Sequence, residues 1–129
     1  MIERIKIIIN PEDKQIDEMS SNEMIELLIK LNKSLRCLDS EEVRSDGMIA
    51  GDMVAPTREV QDKVLDYLMN NISKIQDKRS KAAITYYTLL NLHMFSDGNG
   101  RTSRFMYDLI SGDLDEKNLS YYFHKDSNN

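Results

Sequence analysis

Apolar and polar residues follow one another along this chain with a helical period. From Met24, the apolar positions Leu28, Leu31, Leu35 and Leu38 recur at spacings of three and four, forming one stripe of an amphipathic helix. Ser21 or Asn22 is its expected cap, and the stripe predicts a helix to about Leu38. Pro56-Thr57 opens another helix, in which Val60, Val64, Leu68 and Ile72, with Leu65 and Met69 beside them, give a broad apolar face. Gln76 to Arg79 is polar and predicts a turn. Ser80 then caps a helix carrying Ala82, Ala83, Tyr86, Tyr87, Leu89 and Leu90, apolar nearly all round, which predicts burial in the middle of a bundle. A further helix is expected from about Gly100 to Ile110. Ser111-Gly112 stops it, glycine suiting a left-handed cap. Asp115 to His124 predicts one last short helix.

Three stretches break this rhythm. Met1 to Asn10 reads as a short strand or a loose start. Asn10-Pro11-Glu12-Asp13 reads as a helix start, with Asn as cap, Pro at the first helical position and acids in the first turn. Ser45 to Ala55 loses helical periodicity where Gly47 and Gly51 flank Met48, Ile49 and Ala50, and predicts an exposed hairpin or loop. The expected class is all-α, one domain over residues 1–129, without internal repeats or a linker.

Composition changes this picture little. Five glycines and two prolines among 129 residues favour long helices over many short strands. The net charge of −5 argues against non-specific nucleic-acid binding, whose surfaces are basic. No apolar run approaches the ~20 residues of a membrane span, and no secretory signal is visible, so no membrane partner and a cytoplasmic location are expected. The single cysteine, Cys37, cannot form an internal disulfide; between Leu35 and Leu38 it is expected to be a buried, inert thiol in a reducing compartment.

Candidate chemistry is concentrated in His93-Met94-Phe95-Ser96-Asp97-Gly98-Asn99-Gly100-Arg101-Thr102-Ser103-Arg104. This segment joins the end of one helix to the start of the next. Gly98 and Gly100 let the backbone approach a ligand, and consecutive amides there can form an anion nest. The following helix adds the N–H groups and dipole of its N-terminus. Arg101 and Arg104, three apart, share a helix face and invite an anion. Asp97 is a hard oxygen ligand beside the nest, suited to sharing Mg²⁺ with phosphates. His93 can exchange a proton near neutral pH. A base, a Mg²⁺ ligand, a phosphate nest and two arginines are the parts needed to transfer a phosphate-containing group. Other assignments compete residue by residue: a satisfied core histidine for His93, a plain turn for residues 97–100, and surface charges paired with Asp108 for the arginines.

The segment resembles the signature of the Fic family, His-x-Phe-x-Asp/Glu-Gly-Asn-Gly-Arg-x-x-Arg, at every defined position. A chance match in a chain of average usage is on the order of 10⁻⁸. Met94 departs from a Pro frequent in the family, without removing a chemical group. The resemblance implies a helical bundle with the motif loop between two central helices and a small β-hairpin flap upstream, matched here by Val43 to Ala55, with Val60 to Ile72 as the helix after it. It implies transfer of AMP from ATP to a Ser, Thr or Tyr hydroxyl of a target protein. His93 would be the general base and Phe95 would anchor the loop in the core. Asp97 would hold Mg²⁺, and Gly98, Asn99 and Gly100 would cradle the phosphates, with Asn99 stabilising charge on the α-phosphate. Arg101 would contact the β-phosphate and Arg104 the γ-phosphate. The flap, about Met48 to Val54, would hold the target by strand addition.

Many family members are restrained by a helix bearing Ser/Thr-x-x-x-Glu-Gly/Asn. No Glu here is followed by Gly or Asn. That leaves no restraint, an antitoxin-like inhibitory partner, or an inhibitory helix elsewhere. The chain stops 25 residues after Arg104, where relatives often continue, which fits a compact variant or an excerpt of a longer chain. Phosphorylating relatives, the Doc toxins, carry Lys at the position of Gly100, so Gly100 points to AMP. Transfer of another phosphate-containing group, removal of AMP, and a non-catalytic nucleotide- or partner-binding module are the alternatives.

Overall fold

The computed structural model describes residues 1–50 and 53–123, with the side chains of Ala50 and Met53 left aside. Six helices account for most of it: α1 (Ile2–Ile9), α2 (Ser21–Leu35), α3 (Arg58–Asn71), α4 (Lys78–Leu92), α5 (Asn99–Ser111) and α6 (Leu119–Tyr122). The all-helical expectation holds. The packing is most extensive between α4 and α5, while α2 touches α1, α3 and α5. One core runs through these elements, from Ile5 and Ile9 through Leu28, Leu31 and Leu65 to Leu89, Phe95 and Phe105.

The helix starts follow from their caps. Ser20 accepts from the Glu23 amide while the Glu23 carboxylate accepts from the Ser20 amide, a capping box that begins α2 one residue before the expected position. Thr57 caps α3 through the Val60 amide. Asp77, rather than Ser80, caps α4; its carboxylate accepts from both the backbone and the hydroxyl of Ser80, so α4 begins at Lys78. Gly112, at φ 86°, ends α5 in the expected left-handed conformation.

Several expectations are corrected. Met1 to Asn10 is helical: Ile2, Ile5 and Ile9 share a buried face, and the adjacent Ile7 and Ile8, which suggest a strand, face solvent. Asn10 does not start a helix. Its carboxamide bridges the amide and carbonyl of Lys14, closing a loop. In α3 the buried face turns toward Gln61, Leu65, Leu68 and Met69, leaving Val60 and Val64 exposed. Helix α4 is not buried all round, since Ile84 and Tyr87 face solvent.

Cys37 is exposed, not buried. It occupies the left-handed position after α2, at φ 57°, where the Leu38 amide donates to the Lys33 carbonyl and the Cys37 amide to that of Ser34. This is a Schellman ending with cysteine in the place glycine usually takes. Upstream of the motif, Ile49 pairs with Val54 and Ala50 with Met53, antiparallel. That two-residue ladder is the only strand pairing among the described residues, and a hairpin flap as such is not seen. Residues 51 and 52 of the expected flap, and His124 of the expected last helix, lie outside the described residues.

Candidate active site

The motif loop begins where α4 runs out of partners for its last carbonyls. His93 takes a left-handed conformation, φ 50° and ψ 59°, its amide still donating to the Leu89 carbonyl. A β-carbon-bearing residue is strained there by about 1 kcal/mol or more, a cost that surrounding contacts have to hold in place. The turn sends Met94 and Phe95 into the core, as expected for Phe95, and brings the chain back to the first turn of α5. Asn99 fixes the return. Its carboxamide donates to the Phe95 carbonyl at 2.7 Å and accepts from the Phe95 amide at 3.0 Å. Gly98, left-handed at φ 74°, is the cap of α5 and has no side chain to satisfy the amides that follow. The N–H groups of a helix's first turn have no intrahelical partner and carry its positive end.

Leu90, His93, Ser96, Asp97, Gly98, Asn99, Gly100 and Arg101 line one open cleft of about 340 Å³, within the range of small-molecule sites. A second cavity of about 330 Å³, lined by Lys6, Lys78 and Leu109 among others, shares none of these residues. In the cleft, desolvation and then the nearby Arg44 charge hold His93 below the ordinary histidine range, favouring the neutral imidazole a base requires. Asp97 accepts from the Gly98 amide at 2.8 Å through one carboxylate oxygen. A β-carbon on Gly98 would lie 3.0 Å from Asn32 Nδ2 and 3.1 Å from Arg36, crowding both side chains at a positive φ that already favours glycine; at Gly100 the same position is open.

Not every residue of the motif reaches the cleft in the expected way. Asn99 is committed to Phe95, which makes it a loop clasp in this geometry. Arg101 lines the cleft, but its Nη1 donates to the carbonyls of Leu35 and Tyr122 at 3.2 and 3.3 Å, tying α5 to the ends of α2 and α6. Arg104 does not line it. Its guanidinium lies 5.4 Å from the Tyr107 ring centre, and Nε donates to the buried Asp108 at 3.4 Å, the partner that competed with the phosphate role. Burial raises the Asp108 carboxyl, Arg104 offsets part of that rise, and the Tyr122 hydroxyl also donates to it.

Sequence reading missed the polar residues behind the loop. Asn32 donates to the Asp97 carbonyl at 3.0 Å and to Thr102 Oγ1 at 3.2 Å. Arg36 donates to Asn32 at 3.0 Å and to Glu42 at 2.5 Å; Glu42 accepts from the Ser96 amide at 3.2 Å and hydroxyl at 3.0 Å. Arg44 and Gln61 both reach the carbonyl of Leu92 at 3.1 Å. No buried side-chain polar atom among the described residues lacks a partner. One signal was available: Asn32 and Arg36, four apart, interrupt the otherwise apolar face of α2 next to Leu28, Leu31 and Leu35.

His93 at the end of α4 and the uncapped first turn of α5 line one cleft, an arrangement suited to a phosphate group beside a titratable imidazole. The chain belongs to the Fic/DOC family, whose model matches residues 16–111. It is similar to protein adenylyltransferase fic-1 of Caenorhabditis elegans, 29% identical over 101 residues, which is 75% of this chain and 20% of that protein. It is also similar to protein adenylyltransferase Fic of Nematostella vectensis, 26% identical over 112 residues, 84% of this chain and 26% of that protein. The chain thus spans a fifth to about a quarter of the length of these curated relatives.

Proposed function

We propose that this chain transfers AMP from ATP to a Ser, Thr or Tyr hydroxyl of a protein, with His93 as general base. The observation that carries the reading is the shared cleft: a histidine held toward its neutral form faces the uncapped first turn of α5. The target hydroxyl gives its proton to His93 as its oxygen bonds to the α-phosphorus. The bond from that phosphorus to the pyrophosphate oxygen breaks, and pyrophosphate leaves. Charge developing on the phosphates is met by the amides at residues 98–100 and the dipole of α5.

Asp97 is the one carboxylate lining the cleft, and no group of three or more acidic, His or Cys side chains gathers to hold a metal among the described residues. One carboxylate fits Mg²⁺ that arrives with its nucleotide, since Mg²⁺ commonly takes one or two protein carboxylates and completes its shell with phosphates and water. In this reading Arg101 and Arg104 turn from their present partners to the β- and γ-phosphates, Asn99 steadies the α-phosphate, and the 48–54 segment holds the target as an added strand. An antitoxin-like partner is the proposed restraint. A cytoplasmic setting is proposed with it; among the described residues no helix is long and apolar enough to cross a membrane.

The test is transfer of label from Mg-ATP, marked at the α- or the γ-phosphate, into host lysate proteins. Label from the α-position alone is expected, reduced about 10²–10⁴-fold by His93→Ala. Label from the γ-position alone would replace this reading with phosphorylation, and His93-independent label would remove it.

A further inference from the structure

We propose that Arg44 is a positioning residue that ties residues 45–50 and 53–56 to the carbonyl end of α4, and so fixes where a target chain lies relative to His93. This rests on His93 as base and on the 48–54 segment as the target's holder.

Arg44 is buried, and among the described residues no carboxylate pairs with it. Its guanidinium is spent on backbone carbonyls from three places. Nε donates to His93, Nη2 to Leu92 and Pro56, and Nη1 to Ser45. The Arg44 amide adds a bond to the Met94 carbonyl at 3.2 Å. One side chain therefore gathers Ser45, Pro56 at the approach to α3, and the turn that carries the base. A buried cation without a carboxylate is expensive unless fixed dipoles answer it, and the carbonyl end of α4 supplies them. If capping α4 were the whole need, Gln61, which already donates to Leu92 and Pro56, would share the task with any C-terminal cation. A planar fork with five donors is required only when several carbonyls must be held in one fixed relation. After desolvation, the Arg44 charge is what lowers His93; Arg44 itself does not line the cleft, whose charged side chains among the described residues are Asp97 and Arg101.

Three variants separate the roles. Arg44→Lys keeps the charge and loses the fork; Arg44→Gln loses the charge; Gln61→Leu removes only the parallel bonds. In Arg44→Lys, amides at 46–50 are expected to exchange hydrogen at least tenfold faster. Lysate labelling from α-marked ATP should fall at least tenfold while Mg-ATP affinity by calorimetry stays within twofold. In Arg44→Gln, the NMR titration of His93 and the acid limb of the labelling rate should both move to higher pH. Gln61→Leu should lower the melting temperature with the His93 titration unmoved. Unchanged exchange at 46–50 in Arg44→Lys, or a labelling loss matched by equal loss of Mg-ATP affinity, overturns the proposal. If Arg44→Gln does not fold, Arg44→Lys decides alone. A wild-type protein that transfers nothing fails the functional reading, while the exchange and NMR arms still judge Arg44.

Discussion

Behind the 93–100 loop, polar side chains are buried: Asn32 and Arg36 continue the buried stripe of α2 where leucines would otherwise stand, and Arg44 lies in the coil that follows. On the outer face of α3 and α4 the reverse holds. Tyr67 is 75% and Tyr87 62% exposed, with Val60, Val64 and Ile84 beside them. The difference shows what burial is used for at each place. The loop brings unpaired carbonyls and amides into the interior, and each must find a partner there. Along α3 and α4 the helical backbone is already satisfied, so the outward face is free to be apolar at little cost.

Substitutions on the two sides should therefore differ in size. Arg36→Met leaves Glu42 without its cation and Asn32 without its donor; with Glu42 27% exposed, the expected loss is about 2–3 kcal/mol, below that of a fully buried pair. Urea denaturation measures it, and a loss under 1 kcal/mol would mean the buried network is incidental. Gly98→Ala adds a β-carbon against Asn32 and Arg36 at positive φ, expected to cost about 2 kcal/mol. In an Asn32→Ala background, itself destabilised by the lost bonds to Asp97 and Thr102, Gly98→Ala should cost less than in the wild type, which a urea double-mutant cycle measures. Tyr67→Ser on the apolar side should change stability by no more than about 0.5 kcal/mol. A larger loss would show that this face is buried in solution.

The same contrast explains what could be read in advance. The motif loop, the helices flanking it, the helix opening at Pro56-Thr57 and the Gly112 cap are local, and their signals lie within a few residues. Arg44 bonds to carbonyls 48 and 49 positions away, and Asn32 to one 65 away. No periodicity announces such pairs. The rotation of α3 was hidden likewise, because a count of apolar positions favours Val60 and Val64, while Gln61 is drawn inward by the carbonyls of Leu92 and Pro56. Arg104 shows a second limit: its motif position was plain, but its present partner, Asp108 four residues on, is a helical neighbour that competes for it.

The ending of α2 carries a practical consequence. Its exposed cysteine is the sole thiol of the sequence and sits one residue beyond Arg36, at the edge of the network behind the loop. A nitroxide or fluorophore attached to Cys37 therefore needs no engineered attachment point. It would stand as a sentinel beside the network behind the cleft, its mobility or emission testing whether added Mg-ATP, the proposed donor, disturbs Arg36 and its partners.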